Sequence, residues 1–123
     1  MKEYEVLALR TPANSTSLGV TGSYIDTQGY VGHGHKNVMF VLTVGAGTTA
    51  GTAGGSVQSA VDTAGTGVAT VVTFGTLTSA GGYNTQYGVI AATHRYVRVL
   101  GTVQTGKDMD IGCIMIAANR YSP

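Results

Sequence analysis

Between residues 94 and 104 (HRYVRVLGTVQ) apolar and polar side chains alternate. Val97, Val99 and Val103 fall on one side of an extended chain. Tyr96, Arg98, Leu100, Thr102 and Gln104 fall on the other. A period of two predicts a half-solvated β-strand. Residues 37–44 (NVMFVLTV) also read as a strand, with Val38, Phe40, Leu42 and Val44 on one side, but here Met39 and Val41 make the opposite side apolar too. Residues 111–118 (IGCIMIAA) are likewise apolar on both sides. An antiparallel sheet usually wets one face, so two doubly apolar strands predict a cover for the outer face, either a loop of the same chain or a neighbouring subunit. Further strands are predicted at 4–9, 22–27, 56–61, 68–74 and 87–91. No window repeats apolar residues at i, i+3, i+4 and i+7, so no helix is predicted.

Residues 105–108 (TGKD) read as a hairpin loop joining the last two strands, with Gly106 supplying a positive φ. Short strands at this spacing predict an all-β chain folded as an antiparallel β-sandwich, jelly-roll-like, because a parallel sheet would need crossover helices. Residues 10–20 (RTPANSTSLGV) form a polar linker containing Pro12. They set off the first strand as an extended N-terminal arm. The expected organisation is therefore an arm and linker over 1–19 and a β-sandwich body over 20–123. Residues 45–55 (GAGTTAGTAGG) hold only Gly, Ala and Thr and read as a long loop, mobile or ordered by a partner.

Composition narrows the classes. The 123 residues suffice for one domain. Hydrophobic residues make up 43% and charged residues 11%, enough apolar surface to offset the entropy of ordering. The net charge is +1 and the cations are scattered, which argues against a nucleic-acid partner. No apolar run reaches the ~20 residues of a membrane helix. Residues 1–5 (MKEYE) carry acids and no apolar stretch, so no secretory leader is expected. A single cysteine, Cys113, excludes an internal disulfide framework.

Candidate chemistry is sparse. Gly45–Ala50 formally matches G-x-G-x-x-A after a strand, but the Gly-rich sequence that follows cannot start the helix that a dinucleotide site needs. His33 and His35, with His94, could make a three-histidine zinc site, against which no carboxylate stands at ligand spacing. Cys113 sits mid-strand and reads as a small core hydrophobe. Asp108 and Asp110 read as a charged hairpin tip beside Lys107. No catalytic group, cofactor or metal is therefore expected. Tyr83, Asn84, Gln86 and Tyr87 could form a small stacking site for a glycan. Tyr4, Val6 and Leu9 on the arm, and Tyr96 with Arg98 on the late strand, are the candidate partner interface, because Tyr and Arg beside one another are enriched at interface hot spots.

The segment Tyr24-Ile25-Asp26-Thr27-Gln28-Gly29-Tyr30 leads into the apolar strand at 37–44, and His94-Arg95-Tyr96-Val97-Arg98-Val99 precedes the last strand. Over about residues 20–123 this pattern resembles the small head structural proteins of tailed bacteriophages, the capsid decoration or cement proteins. In them an I-D-x-Q-G-Y segment precedes the first body strand and an R-Y-V-R-V strand precedes the last. Their usual acidic central segment is replaced here by Gly, Ala and Thr. The resemblance implies a homo-oligomer, a trimer, made in the host cytoplasm. It would bind the major capsid protein on the virion exterior and stabilise the expanded shell. Residues 1–12 would then add a strand to a neighbour's sheet edge. The competing class is a head-fibre or tail-tip module that contacts a host-surface glycan.

Overall fold

A computed structural model describes residues 4–15, 20–27, 38–49, 51–78, 82–91 and 93–118 of the chain. The fold is all-β. Among the described residues nine strands run in the order β1 (Tyr4–Ser15), β2 (Val20–Thr21), β3 (Ile25–Asp26), β4 (Val38–Thr49), β5 (Thr52–Ala60), β6 (Ala69–Thr78), β7 (Gly82–Gly88), β8 (Tyr96–Val103) and β9 (Asp108–Ala118). They form two antiparallel sheets. One has the order β1-β9-β4-β7, the other the order β2-β8-β5-β6, with β3 also pairing with β8. Counting β2 and β3 as one interrupted strand leaves eight strand positions wrapped as a jelly roll. Of the described strands, only β5 and β6 are consecutive and paired with each other. Among the described residues no helix is long and apolar enough to cross a membrane.

The alternation read from the sequence sets what faces inward. On β8, Val97, Val99, Gly101 and Val103 are buried, while Tyr96, Arg98 and Leu100 are half-buried and Thr102 is exposed. On β4, Val38, Phe40, Leu42 and Val44 are buried. These side chains meet Ile111, Cys113 and Met115 of β9 and Val57, Val72 and Phe74 of the facing sheet in one core. Each large side chain withdrawn from water contributes roughly 1.5–3 kcal/mol before entropy is counted.

Three expectations are corrected. The segment expected as an arm is, over Tyr4–Ser15, a strand of the body, paired with β9 from Tyr4↔Ala118 to Ser15↔Met109. Leu9 is only 4% exposed and belongs to the core. The polar half continues the strand because a ladder needs backbone groups, not apolar side chains. The ladder shifts register on either side of Arg10, and Arg10 Nε donates to the Ile111 carbonyl there at 3.0 Å. Bulges and Pro12 blunt this edge against further strand addition.

The turn at 105–108 forms, with Gly106 at φ 79° and Lys107 N–H donating to the Gln104 carbonyl at 3.0 Å. It is not a hairpin, because β8 and β9 belong to opposite sheets. Both strands are apolar on their inner side, and facing each other across the core buries both sides at once.

The Gly/Ala/Thr segment is strand on both sides of residues 50–51. Gly45 and Ala46 pair with Asp110 and Met109, and Ala53 to Gly55 pair with Val103 to Gly101. Small residues are needed rather than merely tolerated here. A Cβ on Gly55 would lie 2.3 Å from the Leu100 carbonyl oxygen, so only glycine lets β5 approach β8 this closely.

Candidate functional site

Two outer surfaces remain once the core is assigned. On the four-stranded sheet, cross-strand register places Val6 opposite Ile116, Ile116 opposite Met39, and Met39 opposite Tyr87. These four residues lie in one row across all four strands, on the side away from the core. The next row is Ala8, Ile114, Val41 and Thr85. Val6 is 62% exposed and Tyr87 59%, whereas Met39, Val41, Ile114 and Ile116 are half-buried by one another. No charged side chain stands in either row. Contiguous apolar surface of this kind marks an interaction face. The doubly apolar strands β4 and β9 are the centre of it, and none of the described strands packs over it.

The outer face of the five-stranded sheet is different. It carries a groove of about 520 Å³ over β5, β6 and β8, lined among others by Thr52, Ser56, Thr73, Thr76, Thr102 and Gln104. Its aromatic liner is Phe74, which is 5% exposed. At one end Gln104 Oε1 accepts from the Thr52 N–H at 3.2 Å and from the Thr52 hydroxyl at 3.4 Å.

Beside the groove the two sequence motifs meet. Ile25 and Asp26 pair with Val97 and Tyr96. Arg95 donates both ways to Asp26, Nε to Oδ1 at 2.8 Å and Nη2 to Oδ2 at 2.6 Å. This fork holds the Arg95 guanidinium above its ordinary pKa. The Thr27 hydroxyl donates to the Arg95 carbonyl at 2.6 Å. The Arg98 guanidinium lies 4.5 Å from the centre of the Tyr24 ring and donates through Nη2 to Gln58 Oε1 at 3.1 Å. The Tyr24 hydroxyl and Arg98 Nε are buried without hydrogen-bond partners. Of the residues that carried the family resemblance, those the structure describes (Gln28, Gly29 and Tyr30 lie outside them) form a clasp holding β3 onto β8.

The five candidate interface residues do not form one surface. Val6 is on the outer face of the four-stranded sheet. Leu9 is in the core, because the strand it belongs to is part of the body. Tyr4 pairs with Ala118 on the sheet edge. Tyr96 and Arg98 lie on the opposite side of the sandwich, half-buried, with Arg98 taken up by Tyr24 and Gln58. The proposed stacking site also divides. Tyr83 and Tyr87 register with Thr43 and Met39 on the outer face, while Asn84 and Gln86 register with the core residues Leu42 and Phe40. Asn84 Oδ1 accepts from the Gln86 amide at 3.0 Å and from the Gly75 N–H at 3.3 Å.

Other candidates are accounted for locally. His33 and His35 lie outside the described residues. His94 is buried, with Nδ1 2.7 Å from the Ser59 hydroxyl. No group of three metal-ligating side chains occurs among the described residues. Cys113 is buried, and burial pushes its thiol up to about 12, so at neutral pH it is not a thiolate. Gly45–Ala50 is strand through Thr49, with no helix N-terminus beyond it. Asp108 and Asp110 belong to β9 itself rather than to a hairpin tip.

No family model matches the chain, and no curated protein does. Solved structures share its architecture. One is the CBM22-1–GH10 part of the Clostridium thermocellum endo-1,4-β-D-xylanase 10B complexed with xylohexaose, at TM-score 0.55 and 12% identity, covering 99% of this chain. The chain spans 25% of that neighbour's length. Another is the C-terminal family 22 carbohydrate-binding module of the same organism's Xyn10B, studied for the role of its cleft in ligand binding. It matches at TM-score 0.53 and 18% identity over 94% of this chain and 81% of that one. Both likenesses establish the β-sandwich fold.

Proposed function

We propose that this chain is a structural virion protein of the capsid decoration class. It binds the outer surface of the major capsid protein shell through the outer face of its four-stranded sheet. The observation that carries this reading is the apolar row Val6–Ile116–Met39–Tyr87, which crosses every strand of that sheet. The resemblance of the Ile25–Tyr30 and Arg95–Val99 segments to phage head proteins supplies the partner. In this reading the protein catalyses nothing. A trimer would engage several capsid subunits together, so weak single contacts gain from effective concentration. Binding only the expanded shell stabilises that form by mass action.

Co-sedimentation with expanded and unexpanded capsids of the phage whose genome encodes the chain tests this. Pelleting with expanded capsids alone is expected. A chain that stays in the supernatant with both is not a decoration protein. One observation favours a second reading, a head-fibre or tail-tip module that contacts host glycan: its structural neighbours include carbohydrate-binding modules. In that case the chain binds sugar and ignores both capsids.

A further inference from the structure

The apolar face leaves the groove on the opposite sheet without a role. We propose that this groove is a binding site for a neutral oligosaccharide. The inference goes beyond capsid docking and does not depend on what the apolar face meets, because the two faces point away from each other across the sandwich.

The argument starts from the lining. Hydroxyls of Thr52, Ser56, Thr73, Thr76 and Thr102 come from three adjacent strands, and the amide of Gln104 from the residue just after β8. Thr102 registers with Gly54, and Thr73 with Ser56. Neighbouring strands stand about 4.8 Å apart, and alternate residues along a strand about 6.7 Å apart. The floor therefore sets hydroxyls, each able to donate one hydrogen bond and accept two, among the small and apolar residues Ala53, Gly54 and Val103, with the Gln104 amide at one end. A ligand that matches such a floor must itself alternate donor and acceptor at short intervals, as a chain of sugar hydroxyls does. The Thr52 N–H and hydroxyl hold the Gln104 carbonyl oxygen, which fixes that amide and leaves its NH₂ to donate to a ligand.

Charge excludes the obvious rivals. Among the described residues no ionisable one lines the groove, so neither an anion nor a cation finds a counter-charge there. Lys107 packs near Gly51, outside the lining. An added peptide strand would pair along the free edge of β6, whereas the groove lies on the face of β5, β6 and β8. Its volume, about 520 Å³, is that of a small-ligand site.

Gly54 keeps the floor low. A Cβ there would meet nothing closer than 3.7 Å, so a side chain can be added without moving the sheet. Gly54→Val fills the groove and suits a strand. The exposed Thr73→Ala removes one hydroxyl and leaves the backbone alone.

The test is an amide-resolved NMR titration of the isolated full chain, without capsid. The probes are xylohexaose, cellohexaose and mannohexaose, with a heparin-derived sulfated hexasaccharide as the charged comparator. At least one neutral hexasaccharide should shift the Gly54, Ser56, Thr73 and Thr102 amides saturably. Gly54→Val should abolish the shifts, and Thr73→Ala should weaken binding roughly three- to tenfold. If Gly54→Val does not fold, Thr73→Ala decides. The proposal fails if no neutral probe shifts these amides, if only the sulfated probe binds, or if the affinity survives Thr73→Ala unchanged. Because no capsid is present, neither result bears on shell docking.

Discussion

Away from the core, the four-stranded sheet presents Val6, Ile116, Met39 and Tyr87, whereas the five-stranded sheet presents Ser56, Thr73, Thr102 and Arg98. The inner faces of the two sheets do not differ in this way. Both are apolar and packed into one cluster, with Val, Leu, Ile, Phe and Met from the four-stranded sheet and Val, Phe and Ala from the five-stranded one. The inner face is what the fold needs, since it alone removes large apolar area from water. The outer faces are free of that demand, so an apolar outer face is not explained by stability. It costs solubility, and on the proposed reading the capsid shell covers it.

That contrast can be broken most severely by removing what both faces share. Deleting residues 1–12 takes away most of β1, including Leu9, and leaves β9 as a bare edge. We expect loss of the cooperative thermal transition. A deletion variant with an unchanged transition would restore the view of this segment as a detachable arm. Phe40→Ala, at a fully buried position, should cost about 3–5 kcal/mol in denaturant unfolding. Gly55→Ala should also be severe, because its Cβ would press on the Leu100 backbone.

The next test separates the faces. Met39→Asp places a charge in the middle of the apolar row and should weaken capsid binding roughly tenfold or more in co-sedimentation. The matching change on the other sheet, Thr102→Ala, should leave capsid binding as it was and shift stability by less than about 0.5 kcal/mol. Equal losses from the two variants would erase the distinction between the faces.

The smallest expected effect lies outside both faces, in the loop between β5 and β6. The Thr66 hydroxyl donates to Asp62 at 2.7 Å, and the Thr66 and Ala64 amides donate at 3.1 and 3.0 Å. The Thr66 side chain, then its backbone, holds the Asp62 carboxyl below its ordinary 3.8. A depressed carboxylate contributes above its unfolded pKa and loses that contribution as pH falls through the folded one. Protection of the Thr66 amide from exchange, once corrected for intrinsic rate, should therefore hold at neutral pH and fall only below 3.8. Loss of protection at a higher pH would contradict this geometry.

Much of the fold was legible because it follows from alternation. The inward sets on β4 and β8 are those that a period of two assigns. The long-range arrangement was not legible, because local pattern is silent on which sheet a strand joins. The turn at 105–108 has hairpin chemistry and still connects opposite sheets. The Gly/Ala/Thr segment hid its strands because small side chains signal a loop when read alone, and their purpose, close approach of β5 to β8, exists only in the packed structure. The apolar face was visible in Met39, Val41 and Ile114, but its extension to Val6 and Tyr87 required the register. Alternation could have separated Tyr83 and Tyr87 from Asn84 and Gln86, had it been applied to residues 82–88. The clasp of Asp26 with Arg95 needed both motifs in space at once.

Hydroxyl-radical footprinting of the chain, free and bound to expanded capsids, reads the docking face directly. Met39 and Tyr87 lie on one outer face and Tyr96 on the other, and all three side chains are reactive to the probe. Docking through the four-stranded sheet predicts that oxidation of Met39 and Tyr87 falls on binding while that of Tyr96 does not change. Protection of Tyr96 with Met39 and Tyr87 still oxidised would contradict it.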